Sequence, residues 1–293
     1  MTGLVTVKTA AKLNLLLNIT GVRDDGYHTL ETVMQTVDLY DFMTIDATGG
    51  QIRLTGNLPY IPYNEKNLVY RAAAAFFEAT GIPPAARIHL TKHIPVQAGM
   101  GGGSGNAAGA LIGLNRLYGE PLSRGALAAL AGPLGADVPY FFLGGTALCA
   151  GTGDELTPLR PMPDCAIVVL KDRQGVSTSA AYAKYDADPV PPVGDVKRLL
   201  AGIDQGGLSQ ICAGLGNVFY EYAAAQCPQI KWAYDDLFDA GADGVCMSGS
   251  GSAVFGIFAD PDRARRCFQK LGRAHAYISM TRPTKDAVLL FEG

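Results

Sequence analysis

Five glycines within seven positions, Gly99 to Gly105, constrain this chain more than any other feature of it. They lie in Pro95-Val96-Gln97-Ala98-Gly99-Met100-Gly101-Gly102-Gly103-Ser104-Gly105-Asn106-Ala107-Ala108, between a β-prone segment and a helical one. The first, Arg87 to Thr91, alternates in the manner of a strand, and the second, Ser104 to Tyr118, puts Ala107, Leu111, Leu114 and Tyr118 on one face. Glycines let the backbone approach an anion and turn successive N–H groups inward, while a helix N-terminus adds unpaired donors and about half a positive charge. A strand, a glycine loop and a helix in that order predict a phosphate site. Two familiar phosphate loops do not fit: G-x-x-x-x-G-K-[ST] is missing, and the loose G-x-G-x-x-A match at Gly103 to Ala108 does not follow the first strand of a βαβ series.

The rest of the composition bounds the class. A length of 293 residues suffices for about two domains, and 48% hydrophobic against 17% charged residues argues for a folded chain. The net charge of −3, with no basic run, leaves no electrostatic footprint for nucleic acid, so a small-molecule partner is favoured. The six cysteines include no C-x-x-C pair and sit mostly in apolar surroundings, as reduced core residues of a cytoplasmic protein do. No signal-peptide cleavage pattern follows Leu13 to Ile19, and the uncharged run from Val138 to Gly153, broken by Pro139 and glycines, is too short to span a bilayer.

Strands are expected at Leu4 to Lys8, Leu13 to Thr20, Thr32 to Asp38, Asp41 to Asp46 and Gln51 to Thr55. A helix from Glu65 to Thr80, with Leu68, Ala72, Ala75, Phe76 and Ala79 as its apolar stripe, should stop at Gly81. Pro158, Pro161 and Pro163 then interrupt the chain before an apolar strand, Ala166 to Leu170, which places a domain limit between 160 and 161. Helices near Leu208 to Ala224 and Gln229 to Asp239, a strand at Ala253 to Ala259 and a helix opened by Asp260 and Pro261 complete the second half. The irregular mixture implies an α+β protein in two lobes, 1–160 and 161–293.

The stretch Pro95 to Ala108 resembles the central motif of the GHMP kinases, the galactose, homoserine, mevalonate and phosphomevalonate kinase superfamily. Ala10-Ala11-Lys12-Leu13-Asn14-Leu15, Gly26-Tyr27-His28-Thr29-Leu30 and Leu134-Gly135-Ala136-Asp137-Val138-Pro139 narrow the resemblance to the branch whose alcohol substrate is 4-diphosphocytidyl-2-C-methyl-D-erythritol. Met247-Ser248-Gly249-Ser250-Gly251-Ser252 is similar to the third superfamily motif. This resemblance implies an N-terminal ribosomal protein S5 domain 2-like lobe and a C-terminal ferredoxin-like α/β-plait lobe. It also implies ATP-dependent phosphorylation of the substrate's 2-hydroxyl, on the methylerythritol phosphate route to isoprenoid precursors.

Phosphoryl transfer to an alcohol needs the phosphates held, the nucleophile oriented, its proton accepted and developing charge neutralised. Asp137, in an uncharged stretch, suits the proton acceptor and is the catalytic base in the family pattern; its alternative is an N-cap for a short helix beginning at Pro139. Lys12 would suit stabilising that carboxylate, or would be an edge-strand lysine facing water; the resemblance selects catalysis. For ATP the resemblance implies Pro95, Gly99, Gly101, Gly102, Gly103, Ser104 and Gly105, together with Gly249, Ser250 and Gly251. Asn67 and Lys92 match nucleotide-pocket positions, though either could be a helix cap or a surface charge. Tyr27 and His28 would recognise the cytosine with Asn14, while Thr178 and Tyr182 would close over it from the second lobe. Magnesium is expected to arrive with the nucleotide, and no protein ligand for it is assigned, since Gly105 stands where relatives often carry a second serine. His89 and His93 have a loose metal spacing but lack a third ligand nearby. The rival readings are a homoserine or mevalonate type kinase of the same superfamily and a non-catalytic RNA-binding module.

Overall fold

A computed structural model describes residues 3–292. The first lobe is built on two long strands, β1 (Leu4–Val22) and β2 (His28–Asp46), which pair antiparallel along most of their lengths. Each replaces two shorter expected strands. Register shifts at Ala10/Ala11 and Asn14/Leu16 let β1 bend without ending, so the run the sequence appeared to break stays paired with β2 throughout, while β12 pairs with Val5 to Thr9 on the other side. Next come β3 (Ile52–Gly56), α1 (Leu68–Thr80), β4 (Ala86–Thr91), α2 (Gly102–Leu117), α3 (Arg124–Ala131), the single turn α4 (Tyr140–Leu143), β5 (Thr146–Ala150) and β6 (Glu155–Pro158). Gly81 closes α1 as expected, but its buried face is Val69, Ala72, Ala73, Phe76 and Phe77, whereas Ala79 is exposed. The expected stripe was rotated because the small alanines on both sides of the helix carry little directional signal.

The second lobe holds β7 (Ala166–Lys171), α5 (Thr178–Ala187), α6 (Val196–Gln205), α7 (Leu208–Gly214), β8 (Gly216–Asn217), α8 (Tyr220–Gln226) and α9 (Pro228–Asp239). It continues through β9 (Gly244–Met247), β10 (Val254–Phe258), α10 (Pro261–Leu271), β11 (Tyr277–Thr281) and β12 (Val288–Glu292). The helix expected from Leu208 to Ala224 is two helices, because Gly214 and Gly216 break it and β8 pairs parallel with β1 at Leu16 and Leu17. Neither α5 nor α6 had been expected from the sequence.

Two sheets result. One runs β12-β1-β2-β4-β3 with β5, β6 and β8 attached; the other is β11-β7-β10-β9. We propose 1–160 and 161–293 as the two lobes, with β8 and β12 as late segments that return to the first sheet. The helices α1 and α2 cover one face of the first sheet, with Phe76, Ala107, Leu111 and Leu114 fully buried against Val7, Met43 and Ile45. Between the lobes, Leu13, Leu15, Val33 and Val37 pack on Ile167, Val169, Phe255 and Ile257. Each such side chain contributes about 1.5–3 kcal/mol by leaving water. That shared core fixes the lobes against each other at the level of Lys12 and Asn14.

All six cysteines are free and five are buried. Burial, as the largest cause, pushes the thiols of Cys149, Cys165, Cys212 and Cys246 up to about 12. A proton held more tightly folded than unfolded stabilises below the unfolded pKa of about 8.5 and ceases to do so as pH climbs toward 12. The urea midpoint is therefore expected to fall between pH 9 and pH 11, with these thiols inert toward an aromatic disulfide in the native protein at pH 8. Rapid native labelling of Cys149 or Cys246 would contradict this.

Candidate active site

The glycine loop and its flanking elements enclose a cavity of about 340 Å³. Its walls include Lys92 at the end of β4, the loop from Pro95 to Gly101, the first turn of α2, and Asn67 and Lys66 ahead of α1. The N-cap of α2 is Gly101, and no side chain caps the helix. Helix geometry leaves the N–H groups of Gly102, Gly103 and Ser104 without intrahelical acceptors, so three donors and the positive end of a 16-residue helix stand at the cavity wall. Among the described residues that line this cavity there is no carboxylate.

A smaller cavity of about 160 Å³ lies on the other side of the loop and draws on both lobes: Lys12, Asn14, Thr32, Asp137, Thr178, Tyr182, Phe219, Gly249 and Ser250. Gly99 and Gly101 line both cavities. The register shifts in β1 flank Lys12 and Asn14, which share one face of the strand and are 3% and 2% exposed. The edge-strand alternative for Lys12 is thereby excluded: it pairs with Thr36 of β2 on one side, and on the other its backbone N–H donates to Met100 O of the glycine loop at 2.9 Å. Its Nζ donates to Asn14 Oδ1 at 2.5 Å and lies 3.4 Å from Asp137 Oδ2. Asn14 Nδ2 donates in turn to Thr32 Oγ1 at 2.8 Å. Asp137 sits in the turn between Gly135 and α4, with about a third of its side chain exposed. It does not cap α4, whose N-cap position is Pro139.

From the second lobe, α5 supplies Thr178 and Tyr182. Thr178 Oγ1 and Ser250 Oγ are 2.8 Å apart. The Tyr182 ring lies 4.8 Å from His28 and packs edge-on against Phe219 at 4.9 Å. Burial first, and then the negative charge of Asp137, pushes its phenol up to about 12, so it remains a protonated donor near neutral pH. His28 is anchored by its Nε2 at 2.6 Å from Asp186 Oδ1. Neither His28 nor Tyr27 lines either cavity: His28 stands behind Tyr182, and Tyr27 is 67% exposed.

Several expected nucleotide contacts sit differently. Gly105 does not reach the larger cavity: its N–H donates to Gly101 O at 2.8 Å, and a Cβ there would meet Phe141 at 3.0 Å. Gly249 and Ser250 border the smaller cavity, and Gly251 borders neither, because the turn after β9 packs against Gly99 from the second lobe. Asn67 is the N-cap of α1, its Oδ1 accepting from Val69 N at 2.9 Å and its Nδ2 donating to Pro62 O at 2.8 Å. Lys92 is not a surface charge: it is 8% exposed and ion-paired with Asp41. Sequence reasoning overlooked Asp41, Asn106, Thr32 and Phe219. Of these, Asp41 offered a signal, an acid inside a β-prone stretch. His89 and His93 engage Thr55 Oγ1 and the Phe42 ring, and no group of three His, Cys, Asp or Glu side chains among the described residues is arranged for a metal.

Known proteins place this architecture. Residues 67–145 match the N-terminal domain of the GHMP kinases, and residues 194–278 match their C-terminal domain. The chain belongs to the GHMP kinase family. The 4-diphosphocytidyl-2-C-methyl-D-erythritol kinase of Clostridium botulinum (strain Alaska E43 / Type E3) is 37% identical over 94% of this chain and 99% of its own length. The protein of that name from Caldicellulosiruptor saccharolyticus is 40% identical over 90% of this chain and 92% of its own. A crystal structure of 4-(cytidine 5'-diphospho)-2C-methyl-D-erythritol kinase superposes with a TM-score of 0.80 at 35% identity, covering 95% of this chain and 98% of that one. Homoserine kinase from Cytophaga hutchinsonii, at 18% identity and a TM-score of 0.76 over 98% and 97% of the two chains, shares the GHMP kinase fold. No described helix of this GHMP kinase is long and apolar enough to cross a membrane.

Proposed function

We propose that this GHMP kinase transfers the γ-phosphoryl group of ATP to the 2-hydroxyl of 4-diphosphocytidyl-2-C-methyl-D-erythritol. The observation that carries the reading is the pair of cavities meeting at Gly99 and Gly101, one rich in backbone donors and the other holding Lys12 and Asp137. The names of the relatives support the same substrate. In this reading the triphosphate lies along Gly101 to Ser104, and the alcohol enters beside Asp137. The 2-hydroxyl oxygen forms the new bond to the γ-phosphorus while its proton passes to an Asp137 carboxylate oxygen. The bond to the β-bridging oxygen breaks, and its electron pair leaves with ADP. Lys12, held between Asn14 and Asp137, offsets charge that builds between the two cavities. Tyr182, steadied by Phe219 and His28, offers an aromatic wall to the pyrimidine.

A cavity without carboxylates fits a magnesium ion that is held by the phosphates and water rather than by a protein cage. When bound, the ion would supply countercharge to the phosphates; the Ser104 hydroxyl on the first turn of α2 is the side chain suited to approach it. Free, mostly buried thiols support a reducing, cytoplasmic setting. A coupled ADP-release assay across the cytidyl alcohol, homoserine and mevalonate tests the substrate. Turnover of the cytidyl alcohol alone is expected, and turnover of homoserine or mevalonate in its place would refute the assignment.

A further inference from the structure

Asp41 is a fully buried carboxylate that lies outside both cavities and takes no part in the mechanism above. It sits in β2 opposite Thr9 of β1. Its Oδ1 accepts from the backbone N–H groups of His93 at 2.7 Å and Ile94 at 2.9 Å, where the chain leaves β4 for the glycine loop. Its Oδ2 accepts from Lys92 Nζ and from Asn106 Nδ2, the latter at 3.0 Å and in the second turn of α2, where the chain has left the loop. Lys92 Nζ also donates to Asn106 Oδ1 at 3.0 Å, and Asn106 Nδ2 donates to Thr9 Oγ1 at 2.8 Å. One side chain therefore holds the entry and the exit of the loop together. Every buried polar side-chain atom among the described residues has a partner, so the cluster has no slack to absorb a lost acceptor.

Two members of the cluster, Lys92 and Asn106, are also walls of the larger cavity. A Cβ placed on Gly102 would come within 2.8 Å of Lys92 Nζ, so the ammonium supports the α2 N-terminus from behind. Its charge is already balanced by Asp41. It contributes the spacing of the phosphate-facing N–H groups rather than a free countercharge.

We propose that Asp41 is a positioning residue for the nucleotide, setting the separation of the two flanks of the glycine loop and hence the aim of the N–H groups of Gly102, Gly103 and Ser104. The inference rests on the larger cavity being the ATP site. Asp41→Asn keeps the shape but turns an NH₂ toward the Lys92 ammonium and the Asn106 amide, donor against donor. Its KM for ATP, and its Kd for ATP measured by calorimetry without the alcohol, are expected to rise about tenfold or more, with kcat and the KM of the alcohol within about twofold.

A merely structural role would raise both KM values together with a lower unfolding midpoint. That result, or an unchanged ATP affinity in Asp41→Asn, overturns the proposal. If Asp41→Asn does not fold, Thr9→Val removes one anchor of Asn106 at matched shape; it should raise the KM for ATP about two- to threefold alone, and no change would overturn the proposal equally. Absence of turnover of the cytidyl alcohol by the unmodified protein would instead fault the functional reading, and ATP binding by calorimetry would still test Asp41.

Discussion

Asp137→Asn is expected to lower kcat by about 10³-fold while leaving the Kd for ATP within about twofold. Both halves follow from geometry. Asp137 lines the smaller cavity and not the larger one, so the surfaces that would hold the nucleotide do not include it. An amide matches the carboxylate in size but cannot take the hydroxyl proton, which removes general-base catalysis and leaves the approximation of the two substrates in place. The 3.4 Å contact to Lys12 adds a second effect. The ammonium would lose its carboxylate partner while keeping Asn14, which leaves an uncompensated charge in a site where Lys12 is 3% exposed. Rapid-quench turnover at saturating substrates, with calorimetric ATP titration, measures both quantities. A kcat within about tenfold of the original would remove Asp137 from the role of base.

How much of this was readable from the sequence depended on how local the chemistry was. The glycine loop and the helix after it were legible because phosphate chemistry is written there in consecutive residues. The identities of Lys12 and Asp137 were legible through the family motifs, yet their approach across 125 positions of chain needed the fold. Asn67 had two meanings in the sequence, and the structure shows it both capping α1 through Val69 N and standing in the wall of the larger cavity. Motif membership does not report helix phase: Gly105, one turn into α2, has its N–H committed to Gly101. Nor does it report which lobe faces which cavity: Gly249 and Ser250, expected at the triphosphate, stand beside Thr178 at the smaller one. Asp41 escaped notice since its partners lie 51 to 65 positions away, and α5 because its residues form no apolar stripe, only Ala181 being buried. The closing pair of β12 with β1 joins opposite ends of the chain, a contact that no window of sequence contains.

The second large effect is expected at Gly99, where the two lobes meet at the boundary between the cavities. Gly99 has a φ of +72°, a conformation that costs an L-residue about 1–2 kcal/mol. A Cβ there would lie 2.0 Å from Ser248 O, and backbone cannot swing aside as a side-chain tip can. The neighbourhood is tied further: Ser248 Oγ donates to Gly99 O at 2.9 Å and accepts from Asn14 N at 3.1 Å. Gly99→Ala must therefore push the turn after β9 away from the loop, and with it Asn14, the residue that holds Lys12. Strain and displaced packing together should cost about 3 kcal/mol or more, lowering the urea midpoint, and kcat should fall by about 10²-fold or more as the two cavities lose registry. Gly103→Ala supplies the contrast, since its Cβ would meet only Leu68 at 3.7 Å and alanine favours a helix by about 0.5–1 kcal/mol. It is expected to leave the urea midpoint unchanged or slightly raised. Equal stability losses in the two variants would mean that the loop is sensitive to any added methyl group, and the contact between Gly99 and Ser248 would no longer explain why the glycine is needed there.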